Sequence, residues 1–127
     1  PCTKPPWGNL TAIDLNTGDH LWQIPLGTSK DLAPFPFWWI KGAPNVGGPT
    51  DTASGLTFIA ATSDYYLRAF NTETGDELAK FRLPTGGHAT PMTFKTENGK
   101  QIVVIAAGGH WAVGSPASDH LIAFALP

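Results

Sequence analysis

Short runs rich in β-branched and aromatic residues recur along the chain, separated by pairs such as Thr17-Gly18, Thr74-Gly75 and Asn98-Gly99 that suit tight turns. No stretch carries the longer apolar spacing of an amphipathic helix. The pattern predicts strands near residues 10–15, 20–25, 48–51, 56–62, 67–71, 77–83, 90–95, 101–107 and 121–126. A long helix has no place in it.

The runs also repeat. Ala12-Ile13-Asp14-Leu15-Asn16-Thr17-Gly18-Asp19-His20-Leu21-Trp22 aligns with Ala69-Phe70-Asn71-Thr72-Glu73-Thr74-Gly75-Asp76-Glu77-Leu78-Ala79 at an offset of 69 − 12 = 57, and Leu121-Ile122-Ala123-Phe124-Ala125 begins a third copy. A second register matches Leu56-Thr57-Phe58-Ile59-Ala60-Ala61 to Ile102-Val103-Val104-Ile105-Ala106-Ala107 at an offset of 102 − 56 = 46. A unit of about 40 to 50 residues with four short strands is the size of a propeller blade, whose faces are buried only by its neighbours. The expected fold is therefore all-β: a partial β-propeller of about two to three blades of four antiparallel strands. Residues 1–30 supply the end of one blade, 45–85 a complete blade and 86–127 an incomplete last blade. Propellers close with roughly four to eight blades. The chain therefore reads as a fragment of something longer.

Composition narrows the function classes. Only 14% of the 127 residues are charged, while Gly 14 and Pro 12 punctuate a chain that is still 42% hydrophobic, so it folds and turns often. The net charge of −2 and eight scattered Lys and Arg leave no basic stripe for a phosphate backbone, which excludes nucleic acid as a partner. Its apolar runs fall far short of the roughly 20 residues of a membrane-spanning helix. The single cysteine, Cys2, gives no internal disulfide, and whether it pairs in a longer protein stays open.

The spacing Ala12-x-Asp14-x-x-Thr17-Gly18-x-x-x-Trp22 has a physical reason. Thr17-Gly18 turns the chain, Asp14 can bond the turn, and Trp22 is large and flat enough to fill the wedge between blades. It resembles the tryptophan docking motif of the pyrroloquinoline quinone (PQQ) dehydrogenases. Three further stretches, 2–8, 61–69 and 86–93 followed by 107–110, are similar to the C-terminal end of the membrane-bound quinoprotein glucose and quinate dehydrogenases. The resemblance implies an eight-bladed propeller on the periplasmic side of the inner membrane. It would carry PQQ and a divalent cation (Ca or Mg), oxidise a sugar or polyol of glucose, quinate or shikimate type, and pass electrons to ubiquinone. The membrane anchor and the remaining blades lie outside this chain. Two positions depart from that family, His88 where Gln is usual and Ala79 where Trp is usual, and the segment Phe35-Pro36-Phe37-Trp38-Trp39-Ile40 has no firm counterpart.

On that resemblance Asp64 stands beside the quinone, as a cofactor-binding carboxylate. The residues alone favour a turn aspartate that caps the amides of Tyr65 and Tyr66, and the resemblance reverses that preference. Trp7 is either a flat lid over the cofactor or a packing tryptophan. Arg68 offers a planar fork for a PQQ carboxylate, or for a neighbour such as Glu77. His110, behind Gly108-Gly109, and His88 are substrate-pocket candidates, against surface histidines in loops. No metal-ligand spacing appears, nor any Ser-His-Asp set, so the cation ligands and the catalytic base are expected elsewhere and the chain alone is expected to be inactive, with no cofactor bound. The rival from another class is a non-catalytic propeller scaffold that binds proteins at the membrane.

Overall fold

The computed structural model describes residues 2–125. Nine strands form three antiparallel sheets in chain order. The first holds β1 (Asn9–Ile13) and β2 (His20–Pro25). The second holds β3 (Thr50–Asp51), β4 (Leu56–Ile59), β5 (Tyr66–Asn71) and β6 (Glu77–Arg82). The third holds β7 (Met92–Lys95), β8 (Gln101–Ala107) and β9 (His120–Ala125). The only helical turns among the described residues are two three-residue 3₁₀ turns, Phe37–Trp39 and Trp111–Val113.

The repeat seen in the sequence is a repeat of hydrogen bonds. In the turn after β1, Gly18 N–H donates to Asp14 O at 2.7 Å, Asp14 N–H to Asp19 O at 2.9 Å, and Asn16 N–H to Asp14 Oδ1 at 2.7 Å. Fifty-seven positions on, Gly75 N–H donates to Asn71 O at 2.9 Å, Asn71 N–H to Asp76 O at 2.9 Å, and Glu73 N–H to Asn71 Oδ1 at 2.8 Å. Even the register slip recurs, between Ala12 and Ile13 in one pair and between Ala69 and Phe70 in the other. Gly18 and Gly75 both hold φ near +80°, the left-handed conformation that the turn requires and a Cβ resists.

The middle sheet is covered on both faces. Leu67 and Ala69 of β5, with Phe58 and Ala60, meet Val103, Ile105 and Ala107 of β8. Phe70, Ile59 and Ala61 meet Leu10 and Leu26 of the first sheet. A sheet buried on both sides needs no apolar–polar alternation, and β4 reads Leu-Thr-Phe-Ile accordingly. Trp22 closes the interface with the first sheet. Its indole N–H donates to Thr72 O at 3.0 Å, and its ring lies against Gly75, where a Cβ would sit 2.8 Å from the ring. At the interface with the third sheet Ala79 stands in the position of the docking tryptophan and packs against the apolar cluster, and Phe81 with Phe124, ring centroids 4.9 Å apart, fills space there. The wedge that an alanine in place of tryptophan would leave open is thus partly occupied.

Several strands are shorter than the sequence predicts. The strand expected over 10–15 runs Asn9–Ile13, because Asp14 is drawn into the turn. That expected over 56–62 stops at Ile59, since Ala61 takes φ +54° and turns the chain, leaving Thr62 in an isolated bridge to Asn45. Strands expected from 48 and 90 begin at Thr50 and Met92, each just after a proline, which donates no ladder bond. The last spans His120–Ala125, and Leu126 lies outside the described residues.

Candidate functional site

Loops that leave β2, β4, β6 and β8 converge on one side of the sheets and carry most of the candidate residues. The tightest is the turn over residues 60–65. Ala61 and Tyr65, at φ +54° and +57°, hold it in a conformation uncommon for residues with side chains, and Ala61 N–H bonds Gly87 O at 2.9 Å.

Asp64 is fully buried in this turn. Its Oδ2 accepts from Thr28 N–H at 2.8 Å and from the Thr28 hydroxyl at 3.1 Å; its Oδ1 accepts from the Thr62 hydroxyl at 2.6 Å and from Arg68 at 3.0 Å. A second Arg68 nitrogen bonds Oδ2, completing a two-point pair. Burial pushes the Asp64 carboxyl up, but the hydrogen bond and charge of Arg68, with the Thr62 hydroxyl and the Thr28 amide, outweigh it and hold the group below the ordinary carboxylate range. The turn reading for this residue needs correction. Asp64 does not cap Tyr65 and Tyr66; it ties its turn to Thr28 in the loop after β2, 36 residues away.

Arg68, on β5, is spent in the same way. Beyond Asp64 it donates to the Thr62 hydroxyl at 3.0 Å and to Glu77 at 3.1 Å, the neighbour the sequence offers. Arg82 extends the network: it donates to the backbone carbonyl of Asp64 at 2.7 Å and makes two bonds to Asp31, at 2.7 and 2.8 Å. The Asp31 hydrogen bond raises the Arg82 pKa above its already high ordinary value. Tyr66 lies under the cations, its ring 5.4 Å from Arg68 and 5.1 Å from Arg82.

His88 and His110 form a second group, with ring centroids 6.0 Å apart in an edge-on arrangement. His88 Nδ1 lies 3.2 Å from Val46 O and 3.3 Å from Ala61 O, two acceptors, so this nitrogen carries the proton of the neutral ring. Nε2 then accepts from the Ser115 hydroxyl at 2.9 Å, and Ser115 Oγ in turn accepts His110 N–H at 2.8 Å. His88 therefore joins three loops. Gly86 permits this approach, since a Cβ there would stand 2.3 Å from His88 Nε2. His110 Nδ1 accepts from Ala112 N–H at 3.3 Å, which leaves the Nε2–H of the neutral ring as a donor. Both rings border a cavity of about 260 Å³ with Ala89, Ala106, Gly108 and Gly109.

Trp7 is half-buried near the start of the chain, its indole N–H on Thr3 O at 2.9 Å. No contact joins it to Asp64 or to the histidines among the hydrogen bonds and ring pairs of the described residues. The structure thus brings Asp64 and Arg68 together, and His88 and His110 together. Thr28, Arg82, Asp31 and Ser115 escape the sequence reading. Thr62 alone had a local signal, two positions before Asp64.

A flat, tricarboxylate quinone needs free donors for its carboxylates and oxygens. Four of the five Arg68 N–H groups and both Asp64 oxygens are already engaged within the chain, which leaves one N–H of the Arg68 guanidinium uncommitted, at a side chain that borders a cavity with Thr28, Lys41 and Lys80. His110 also keeps an uncommitted donor. No group of three metal-ligating side chains occurs among the described residues.

Comparison with known proteins adds the family context. Residues 1–103 match the family model described as glucose/ethanol/alcohol dehydrogenase, beta-propeller domain. The chain is 48% identical over 131 residues to quinoprotein glucose dehydrogenase of Escherichia coli (strain K12), covering 100% of this chain and 16% of that protein. It is 51% identical over 132 residues to quinate/shikimate dehydrogenase (quinone) of Acinetobacter baylyi, covering 99% and 16%. A europium-containing methanol dehydrogenase structure superposes with a TM-score of 0.61 at 27% identity, over 80% of this chain and 15% of that one. The chain thus spans about one-sixth of the length of the curated relatives it matches.

Proposed function

The chain belongs to the β-propeller domain family of glucose, ethanol and alcohol dehydrogenases, and from that premise we propose that its three sheets are successive blades of a PQQ-dependent dehydrogenase that oxidises a sugar or polyol. The observation that carries this reading is the identity of about half the residues to quinoprotein glucose and quinate dehydrogenases over essentially the whole chain.

In this reading PQQ supplies the electron-accepting centre, with a divalent cation (Ca or Mg) held by residues outside the chain. The remaining blades complete the site on the periplasmic side of the inner membrane, and ubiquinone takes the electrons. The part played by the residues described above is structural and polar. The Asp64–Arg68 pair fixes the turn over residues 60–65 against the loop that leaves the first sheet, and thereby acts on the cofactor by placement. His110 presents its free ring donor to the hydroxyl of the substrate, and His88 holds the loop that carries it. Trp7 forms part of the rim.

The test is activity of the complete polypeptide that contains this chain. Reconstituted with PQQ and Ca²⁺ or Mg²⁺, it should reduce an artificial quinone acceptor with glucose, quinate, shikimate or glycerol; no PQQ-dependent turnover with any of them would end the proposal. His110→Ala should raise KM for the active substrate while leaving the PQQ concentration for half-activation unchanged.

A further inference from the structure

The hydrogen bonds around His88 and His110 have a direction, and it passes through Ser115. His88 Nδ1 faces the carbonyl oxygens of Val46 and Ala61, so it carries the ring proton and leaves Nε2 as a lone pair. A serine hydroxyl has one hydrogen, and that of Ser115 goes to this lone pair at 2.9 Å. Its alternative acceptor, the His110 carbonyl, lies at 3.4 Å and competes poorly. The Ser115 oxygen is thereby free to accept, and it takes His110 N–H at 2.8 Å. Ser115 is 4% exposed and these partners all belong to this chain, so the arrangement does not depend on what covers the outer surface.

The loop that carries His110 is closed by other bonds. Ser118 N–H donates to Gly108 O and Gly109 N–H to Gly86 O, each at 2.9 Å, and the Thr85 hydroxyl donates to Pro116 O at 2.6 Å. Gly109, at φ +67°, passes so close to Pro116 O that a Cβ would stand 1.8 Å from it. These contacts secure the two ends of the loop and leave His110 to Ser115. Among the described residues, the one acceptor of His110 N–H is the Ser115 hydroxyl oxygen. Removing that hydroxyl keeps the loop anchored and frees the residue that opens the 3₁₀ turn over residues 111–113.

We propose that Ser115 is a positioning residue for the substrate. Its hydroxyl, aimed by the His88 tautomer, fixes the His110 main chain, and with it the ring that keeps Nε2–H uncommitted at the edge of the cavity of about 260 Å³. This role rests on the reading of His110 as the donor to the substrate hydroxyl, and it explains why that donor stays in one place. A donor already held in position loses little freedom when the substrate arrives. The tautomer matters because a His88 ring with its proton on Nε2 would donate to Ser115 Oγ and compete with His110 N–H for that oxygen.

Two measurements separate this role from the reading beneath it. Amide hydrogen exchange on the chain needs neither cofactor nor substrate: in Ser115→Ala the His110 N–H should exchange about tenfold faster than in wild type, while Gly109 N–H, bonded to Gly86 O, keeps its protection. In the complete polypeptide, reconstituted with PQQ and Ca²⁺ or Mg²⁺, Ser115→Ala should raise KM about three- to tenfold with kcat kept, the worth of one neutral hydrogen bond. His110→Ala/Ser115→Ala should show the KM of His110→Ala alone, since nothing is left to position. His88→Gln keeps a donor for the two carbonyls and an acceptor for the Ser115 hydroxyl, so it should raise KM less than His88→Leu, which keeps neither; this pair carries the test if Ser115→Ala does not fold. A Ser115 that only stabilises the loop would lower the thermal midpoint and leave KM in place, which overturns the proposal. So do unchanged exchange at His110, additive effects in the double variant, or equal KM in the two His88 variants. Absence of turnover, or an unchanged KM in His110→Ala, overturns the reading of His110 itself and the role of Ser115 with it.

Discussion

Gly75 offers a direct test of how the first two sheets are locked, because Gly18 is its internal control. Both glycines close the same hydrogen-bonded turn, at φ +76° and +79°, so alanine at either meets the same backbone penalty, about 1 to 2 kcal/mol. They differ in what the new methyl meets. At Gly18 nothing lies within 4 Å, whereas at Gly75 the Cβ would stand 2.8, 2.9 and 3.2 Å from three ring atoms of Trp22. Two of these are closer than real Cβ contacts allow, and the indole cannot swing away without losing its 3.0 Å bond to Thr72 O. Overpacking of that kind adds about 1 to 3 kcal/mol. Gly18→Ala should therefore lower stability by about 1 to 2 kcal/mol and Gly75→Ala by about 2 to 5. Urea unfolding of the chain, followed by tryptophan emission and circular dichroism, measures both. In a Trp22→Ala background the clash is gone, so Gly75→Ala should fall back to the Gly18→Ala value, a coupling of about 1 to 3 kcal/mol. Equal effects of the two single substitutions, or a coupling near zero, would refute the claim that Trp22 seats on Gly75 to join the sheets.

Other perturbations probe the polar network. Asp64→Asn removes one partner of a buried ion pair and should destabilise the chain by about 3 to 5 kcal/mol. Because the folded carboxyl lies below its unfolded value of 3.8, the wild type keeps this stability above that pH and loses it as pH falls through the folded value; the Asn variant should show a shallower acid limb in unfolding titrations. His88→Gln retains an amide donor for the Val46 and Ala61 carbonyls and an acceptor for Ser115, so its thermal midpoint should stay near wild type, while His88→Leu, which strands those groups, should cost about 1 to 3 kcal/mol. Arg82→Leu should change global stability by at most about 1 kcal/mol, since the Asp31 pair is partly exposed, but should speed proteolysis within residues 30–40, read by mass spectrometry of limited digests.

The strands and the repeat were legible because they are local. Turn pairs, β-branched runs and the 57-residue offset lie close together in the chain, and the register slip at Ala12 and Ala69 follows the same offset. The docking role of Trp22 was legible as well, from its size and spacing, and the ring indeed seats on the next repeat's turn. Strand ends were read less well. Ala61 is drawn out of its strand by a bond to Gly87, 26 residues on, that no local pattern encodes. The polar site was half legible. Asp64 and Arg68 stand four residues apart, and Glu77 is their neighbour across β5 and β6. Thr28, 36 residues before Asp64, and Asp31, 51 before Arg82, meet them only once the sheets stack.

Asp64 is fully buried, takes donors from three residues and is held ionised against its own burial. Its partners are Thr28 in the loop that leaves the first sheet, Thr62 in its own turn and Arg68 on β5, so the carboxylate ties that loop to the middle sheet as well as fixing the turn it occupies. Arg82 reaches the same turn from the end of β6 and carries the loop over residues 29–40 with it through Asp31. One network thus holds both the strained turn with Ala61 and Tyr65 at positive φ and the base of that loop. A change at Asp64 is felt first as a shift of these elements, and the chemistry of the complete enzyme would register it through their placement.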